Sequence, residues 1–291
     1  MHATVFVNGR ITDARDAVVS IFDHGFLYGE GVYETLRTYG RRPFLFGPHV
    51  HRLRQSAALM ALDVPFTDDS LQADVDRTLA AHGGVAEAYI RILLTRGVGE
   101  LSYSPAACPV PGVVIIVKDF PGQPERTFTE GIGVALVSVR RNHPETLNPR
   151  IKSNNLLNNA LAMQEALRRG AEEALMQNLA GEVVECAQAN VFVVRGGEVI
   201  TPPVDAGLLP GITRECVLTL AREAGYACRE ARLTPDDVFA ADEAFITGTT
   251  REVTPVVRVD DRPIGGGVPG PVTRTLLARL RALASVSASA G

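Results

Sequence analysis

A short stretch near the middle of the chain interrupts the regular spacing of apolar residues. Residues 119–126, DFPGQPER, hold two prolines and a glycine and have neither helical nor strand periodicity, which favours a linker. The chain has 291 residues, and because domains of about 150 residues are common, two domains are expected. We predict a small α/β domain over residues 1–118, a linker over 119–128 and a larger domain over 129–291.

Strand and helix patterns alternate in both parts of the chain. The apolar run Val113–Val117 has the length of a strand, and apolar residues at helical spacing predict a helix from Pro48 to about Leu62. Near the N-terminus, a turn at Asn8 and Gly9 predicts a hairpin whose second strand reaches about Ile21. The fold class expected from this pattern is α+β or mixed. Further helices are predicted at Asn155–Arg169, Gly211–Ala224 and Val272–Ala284.

Composition and charge limit the function. Hydrophobic residues make up 46% of the sequence, charged residues 21%, and the formal net charge is −4 with both signs interspersed. This pattern lacks the basic surface typical of nucleic-acid binding, and no apolar run approaches the ~20 residues that span a bilayer. The N-terminus also lacks the pattern of a signal peptide. We therefore expect a cytoplasmic protein acting on small molecules, with neither nucleic acid nor membrane as partner.

Cysteine and histidine spacing gives no metal-binding motif. The four cysteines are far apart, without the CxxC pairs of zinc or redox sites, so we expect free buried thiols. His49 and His51 form an HxH pair, but no cysteine or carboxylate stands beside them at ligand spacing. We therefore expect no metal site and assign this pair to the entry of a helix.

Several separated segments contain groups that suit one anionic cofactor, although each is weak evidence alone. The segments are DHGFLYGEGVYET at 23–35, HVHRL at 49–53, RILLTRGVGEL at 91–101, NPRIKSNNLLNN at 148–159, EVVECAQANVF at 182–192, LLPGITRE at 208–215 and ITGTTREVTPV at 246–256. Together and in this order, they closely resemble class IV (fold type IV) aminotransferases. The resemblance implies pyridoxal 5′-phosphate as cofactor and a small α/β domain followed by a larger domain with a barrel-like sheet.

Three residues match the central positions of that family. Lys152 resembles the lysine that holds the cofactor as a Schiff base, and the same amine can move a proton between the substrate Cα and the cofactor. Glu185 matches the carboxylate that faces the pyridine nitrogen, where an anion favours the protonated, electron-withdrawing ring. Arg52 matches the phosphate-binding arginine, whose planar fork suits phosphate oxygens.

The resemblance also implies further phosphate and substrate contacts. Ile212 and Thr213 in PGIT match a second phosphate element at a helix start, where free amides and the helix dipole suit an anion. Thr249 resembles a third phosphate contact, and Thr250 lies where a backbone amide can meet the substrate carboxylate. A plain helix start and an ordinary turn are the alternatives at these two elements.

The segment that lines the substrate side of family sites contains Tyr28, Tyr33 and Arg37. In such a site, the aromatic rings can contact the side chain of the substrate and the cation can bind its carboxylate. The ordinary alternation of side chains along a strand explains the positions of Tyr33 and Arg37 equally well. We expect all three to be substrate contacts.

The expected reaction is transfer of an amino group from an amino acid, with an L-branched-chain donor favoured, to 2-oxoglutarate or another 2-oxo acid. The alternatives are a D-amino acid or (R)-amine transaminase and an aminodeoxychorismate lyase. Leu157 keeps the D-specific alternative open, because many branched-chain enzymes have a tyrosine at this position. The resemblance also implies a homodimer.

Overall fold

A computed structural model describes residues 2–83 and 86–289. These residues form two compact units. The first unit consists of the described residues up to Pro121, the short segment Ile151–Asn155 and the described residues from Ala284 onward. The second unit consists of Gly122–Arg150 and Leu156–Leu283.

The first unit is built around an antiparallel sheet. Within its described residues, six strands pair in the order β2-β1-β6-β5-β3-β4, every pairing being antiparallel. The strands are β1 (Ala3–Val7), β2 (Arg10–Asp13), β3 (Gly31–Tyr39), β4 (Arg42–Pro43), β5 (Ala88–Thr95) and β6 (Gly112–Asp119).

The first hairpin is shorter than the sequence predicted. Asn8 and Gly9 have φ angles of 46° and 94°, as a two-residue hairpin turn requires. The second strand ends at Asp13 and does not reach Ile21. The reason is local, because the amides of two following residues, Asp16 and Ala17, both donate to the Asp13 carbonyl and turn the chain.

Helices α1 (His24–Leu27), α2 (Phe46–Leu59) and α3 (Asp68–His82) complete the first unit. A capping box formed by Thr67 and Ser70 begins α3. Apolar residues of α2 and α3 pack with alternate residues of the sheet into one buried core. That core contains Phe6, Val32, Leu36, Val50, Leu53, Leu71, Val75, Ile90, Ile92, Ile115 and Val117.

The segment Ile151–Asn155 extends the pairing of β3. Ser153 forms an isolated antiparallel bridge with Val32. The Asn154 amide donates to the Gly31 carbonyl at 2.9 Å. Five residues distant in sequence are therefore fixed to the first unit by backbone hydrogen bonds.

The second unit contains the remaining helices and strands. Its helices are α4 (Arg126–Thr129), α5 (Leu157–Arg168), α6 (Ile212–Glu223), α7 (Pro235–Phe239) and α8 (Pro271–Ser289), whose last residues belong to the first unit. Its strands are β7 (Ile132–Leu136), β8 (Glu173–Gln177), β9 (Val183–Cys186), β10 (Asn190–Arg195), β11 (Glu198–Thr201), β12 (Cys228–Glu230), β13 (Glu243–Gly248), β14 (Glu252–Val259) and β15 (Arg262–Pro263).

Part of this sheet closes on itself. The described strands pair in the order β10-β13-β14-β7-β8-β9, and β9 returns to β10 through the pair Glu185 and Asn190. β7 runs parallel to both β14 and β8, whereas the other pairings around the ring are antiparallel. The resulting six-stranded ring confirms the barrel-like sheet and the mixed fold class.

The two faces of the barrel strands have separate cores. One core takes residues from all six barrel strands, among them Val134, Leu175 and Ile246, and therefore lies inside the ring. The neighbours Ala135 and Ala174 point the other way and pack against α5. This alternation is the expected consequence of two residues per strand repeat.

Two further expectations concern the chain as a whole. In residues 2–83 and 86–289, no helix combines the length and apolar character needed to cross a membrane. The four cysteines are free thiols, as expected, but only Cys108 and Cys186 are buried.

Candidate functional site

Lys152 is held in place by its own backbone. Its amide donates to Oγ of Ser56 at 3.1 Å, and its carbonyl accepts from the Tyr33 amide at 2.9 Å. The side chain is partly exposed, with Nζ 4.6 Å from the centre of the Tyr33 ring. The amine is therefore placed against an aromatic face by a fixed backbone.

Arg91 shares the same ring. Its guanidinium carbon lies 4.0 Å from the centre of the Tyr33 ring. Arg91 on β5 pairs with Thr35 on β3, which places it diagonal to Tyr33 on the same face of the sheet. Sequence reasoning did not select Arg91, although the alternating pattern of β5 was a usable signal. The structure thus brings Lys152, Tyr33 and Arg91 together.

Arg52 belongs to a buried charged cluster. Its Nε and Nη2 each donate to a different carboxylate oxygen of Glu34, both at 2.7 Å. Nδ1 of His49 lies 2.7 Å from the same carboxylate, and all three side chains are buried. The sequence prediction singled out Arg52 and left out Glu34, which fixes the plane of the guanidinium.

Burial and the neighbouring charges shift the pKa of Glu34 in opposite directions. Burial by itself would raise the pKa of Glu34, but the charge and hydrogen bonds of Arg52 and His49 lower it from 4.5 to about 2. Burial lowers the pKa of His49, against the raising influence of Glu34. Glu34 is consequently an anion and balances the charge of Arg52.

Tyr28 and Arg37 lie in other surroundings of the first unit. Tyr28 is the C-cap residue that follows α1. Its ring centre lies 4.8 Å from that of His24, which it meets edge-on, and 5.1 Å from that of Tyr103. Arg37 is buried, and its guanidinium carbon lies 4.1 Å from the Tyr39 ring and 4.8 Å from the Phe120 ring. Their assignment as substrate contacts stays a prediction.

Glu185 lies where the barrel closes. It is buried on β9, and its Oε1 accepts from Nε of Arg141 at 2.6 Å. Its Oε2 accepts from the Leu209 amide at 3.1 Å and from Nδ2 of Asn190 at 3.4 Å. Charged and neutral donors therefore orient the carboxylate, and the sequence prediction missed Arg141 because it lies 44 residues away.

Asn190 connects Glu185 to the start of α6. Its Nδ2 also donates to the Leu209 carbonyl at 2.9 Å. Gly211, the N-cap residue, leaves no room for a side chain, since an added Cβ would lie 1.9 Å from Oδ1 of Asn190. Ile212 and Thr213 follow as the first helical residues, so their amides lie at the positive end of the helix dipole.

Thr249 and Thr250 form the turn between β13 and β14. The Arg251 amide closes this turn on the Gly248 carbonyl at 3.1 Å, and Glu252 follows with a φ of 52°. The Thr250 carbonyl accepts from Nε2 of Gln123 at 3.3 Å. Both threonines are partly exposed and belong, like Glu185 and α6, to the second unit.

Comparison with known proteins establishes the family. The family model described as amino-transferase class IV matches residues 31–259. This chain therefore belongs to the class IV aminotransferases, and it is an enzyme of the transaminase class. The resemblance inferred from the sequence motifs is confirmed.

Two curated relatives differ in the substrate that their names give. A putative branched-chain-amino-acid aminotransferase of Methanocaldococcus jannaschii is 40% identical over 272 residues, covering 94% of this chain and 93% of the relative. A D-alanine aminotransferase of Listeria innocua is 34% identical over 274 residues, with coverage of 94% and 93%.

Solved structures agree with the fold. The branched-chain amino acid aminotransferase of Escherichia coli matches with a TM-score of 0.93 and 31% identity, over 97% of this chain and 95% of that one. The branched-chain amino acid aminotransferase of Thermobaculum terrenum, solved in its PLP-form, matches with a TM-score of 0.85 and 30% identity, over 97% and 94%. Enzymes of this family use pyridoxal phosphate.

Proposed function

We propose that this enzyme uses pyridoxal 5′-phosphate to transfer the amino group of an L-branched-chain amino acid to 2-oxoglutarate. The observation that carries the proposal is the placement of the Lys152 amine against Tyr33, with Arg91 on the same ring. The names of the M. jannaschii relative and of the two solved structures support a branched-chain donor.

The residues present fit this cofactor. It carries an aldehyde, a pyridine nitrogen and a phosphate, and the chain offers an amine at Lys152, a buried carboxylate at Glu185 and helix amides at Ile212 and Thr213. The close approach of Gly211 to Asn190 connects the last two elements.

Two further groups are proposed to bind the phosphate. Arg52 supplies a guanidinium whose plane is fixed by its paired hydrogen bonds to Glu34, and a guanidinium held in this way suits a phosphate oxygen. Thr249 is the third proposed phosphate contact. Anchoring of the phosphate would therefore use a charged side chain, helix amides and a turn.

The bound cofactor supplies an electron sink for the negative charge that develops at the substrate Cα. Lys152 holds the cofactor and carries the proton to and from Cα, a role typically worth ~10²–10⁴-fold in rate. The Glu185 carboxylate would face the ring nitrogen, and Arg141 and Asn190 hold that carboxylate in position.

Selection of substrate is proposed to rest on the first unit and on the turn at Thr250. Tyr33 offers an apolar wall beside the reacting amine, and Arg91 offers a cation that can receive a carboxylate. The Thr250 amide is a second candidate for carboxylate binding. Tyr28 and Arg37 remain proposed substrate contacts.

A D-amino acid transaminase is the second candidate. The D-alanine aminotransferase of L. innocua is nearly as similar as the branched-chain relatives. Leu157, at the start of α5, is 65% exposed, and a leucine there lacks the hydroxyl of the tyrosine common in branched-chain enzymes. The two observations favour testing D-substrates alongside L-substrates.

The deciding experiment is a substrate panel. We would measure kcat/KM for L-leucine, L-valine, D-alanine and an (R)-amine with 2-oxoglutarate, and follow pyruvate release from aminodeoxychorismate. These ratios compare transition states, so they separate the candidates better than binding does. Preference for L-leucine or L-valine supports the proposal, whereas preference for D-alanine, the amine or the lyase substrate contradicts it.

We also propose a homodimer. Large apolar side chains are exposed on two adjoining segments of the first unit, which a bridge between Asp23 and Val98 holds together. They are Val18, Ile21, Phe26, Leu101, Tyr103 and Val110. An apolar surface of this kind suits a second copy of the chain. Sedimentation equilibrium at assay concentration tests this, and a fully active monomer would contradict it.

The cytoplasm is the proposed location. All four cysteines are free, as is usual for proteins in a reducing compartment. Fractionation of cells that express the untagged chain tests the proposal, and recovery of the enzyme outside the cytoplasmic fraction would overturn it.

A further inference from the structure

Three potential metal ligands meet at one edge of the first unit. They are His2, His82 and Asp119, and one ligand atom of each lies within 4.8 Å of the others. None of them has a part in the proposed transamination. His2 and Asp119 are exposed, with side-chain exposures of 72% and 55%, whereas His82 is buried. The cluster is open to an ion from solvent on one side.

The topology explains why residues so distant in sequence converge. β1 and β6 pair with Ala3 opposite Lys118, so the next position along this register places His2 opposite Asp119. Thr4 lies on the same side of the strand as His2, since side chains alternate. α3 ends at His82, next to this side of β1.

Contacts at both ring nitrogens fix the orientation of the His82 ring. Nδ1 lies 3.1 Å from Oγ1 of Thr4, and Nε2 lies 2.9 Å from Oδ1 of Asp119. Without an ion, Nε2–H donates to the carboxylate and Nδ1 accepts from the Thr4 hydroxyl; with an ion bound, a hydrogen on Nδ1 donated to Thr4 would leave the lone pair of Nε2 for the metal. Metal-bound histidines commonly have such a second partner, which fixes both tautomer and ring plane.

A bound first-row transition metal would set the spacing of its ligand atoms. Two ligands at about 2.0–2.2 Å with tetrahedral angles lie roughly 3.3 Å apart. The present separations are 2.9 Å between His82 Nε2 and Asp119 Oδ1 and 3.8 Å between His2 Nδ1 and Asp119 Oδ2. The three ligand atoms lie within 4.8 Å of one another, so the two exposed side chains, His2 and Asp119, have to shift to reach tetrahedral spacing.

We propose that His2, His82 and Asp119 bind one Zn²⁺ ion, with water completing the coordination. Two imidazoles and one carboxylate are ligands that Zn²⁺ prefers. The ion would tie the residue that precedes β1 to the end of α3 and the end of β6. It therefore stabilises the first unit and takes no part in the transfer reaction. The HxH pair considered from the sequence is a different site, because His49 contacts Glu34.

A simpler account of the same contacts is a histidine–aspartate ion pair covered by a second ring. The rings of His2 and His82 lie 4.6 Å apart at 33°, which such an account also explains. The two accounts differ in one measurable property, since only the metal site binds an ion in a fixed stoichiometry.

The experiment is zinc titration of untagged, cofactor-loaded enzyme by calorimetry, with Co²⁺ as a spectroscopic substitute. We expect one Zn²⁺ per chain, a higher Tm with zinc and tetrahedral Co²⁺ absorption. His82→Ala and Asp119→Asn should weaken zinc binding at least about 100-fold, and Thr4→Val by about 10-fold. His51→Ala is the matched control, because His51 is an exposed histidine elsewhere in the first unit.

His2→Ala keeps the test independent of folding, since this exposed side chain supports little of the core. We expect it to lose at least about 10-fold in zinc affinity while keeping transaminase activity. Absence of zinc uptake by the wild-type enzyme would overturn the proposal. Zinc affinity of His2→Ala equal to that of wild type would overturn it as well.

Discussion

Substitution of Glu34 by glutamine tests the physical account of the buried cluster around Arg52. The amide keeps the size of the carboxylate but removes its charge and one acceptor oxygen. Because both oxygens of Glu34 accept from Arg52 and one of them also contacts His49, the new NH₂ group must face a guanidinium N–H in either orientation. We expect lower stability and weaker cofactor retention, since Arg52 is the proposed phosphate ligand.

The magnitude follows from the pKa of Glu34. The difference between 4.5 and about 2 corresponds to about 3 kcal/mol, at about 1.4 kcal/mol for each pH unit. Loss of one partner from a buried ion pair typically costs about 3–5 kcal/mol, which agrees. Because the folded-state pKa is lowered, the carboxylate stabilises the fold fully above pH 4.5 and loses this effect as the pH falls toward 2.

The assay is urea unfolding of wild type and Glu34→Gln at pH 7 and pH 3. The free-energy difference should be about 3 kcal/mol at pH 7 and about half of that or less at pH 3, where wild-type Glu34 is already losing its contribution. Asp68→Asn is the matched control, because it removes an exposed carboxylate from a pair with Arg54 and should cost below about 1 kcal/mol. A difference below about 1 kcal/mol at pH 7 for Glu34→Gln, or one that does not change with pH, would refute the reasoning.

Three further substitutions test the proposed cofactor site. Lys152→Ala should abolish transamination and the absorption of the bound cofactor, while Lys118→Ala, which removes a lysine stacked on a different tyrosine, should keep both; cofactor still covalently bound to Lys152→Ala would contradict the assignment. Glu185→Gln should lower kcat at least about 100-fold and also lower the Tm, because Glu185 forms a buried ion pair with Arg141; full turnover would reject its role. Gly211→Ala should raise the Kd of the cofactor at least about 10-fold because its Cβ would lie 1.9 Å from a side-chain oxygen, whereas Gly266→Ala, with its nearest atom at 3.8 Å, should bind normally.

The sequence predicted the positions of helices and strands better than it predicted which side chains contact one another. The helix expected from Pro48 to Leu62 runs from Phe46 to Leu59, because apolar spacing is a local property. Glu34 and Arg91 were not selected, since their importance depends on strand register and on partners that the fold brings near. Local sequence patterns do not contain strand register or distant contacts, and only the resemblance to the family's motifs predicted a role for Lys152.

The same limit applies to Arg141 and Asn190. Asn190 contacts Glu185 because β9 and β10 pair at this point, whereas Arg141 is fixed near it by the bond from its amide to the carbonyl of Gln177 at the end of β8. A pairing between β9 and β10 at one position leaves almost no periodic signal in the sequence. The domain division and the substrate contacts predicted from the sequence remain predictions.

The path of the chain through Ile151–Asn155 has a consequence for synthesis on the ribosome. The first unit needs this segment to complete the pairing of β3, and it also includes residues from Ala284 onward. A nascent chain that has emerged only as far as Pro121 therefore contains the six strands of the sheet but not the segment that carries Lys152. Although domains commonly fold as they emerge, the pairing of β3 is completed only after Ile151–Asn155 has been synthesised, and a fragment cut at the linker would expose unpaired backbone along β3.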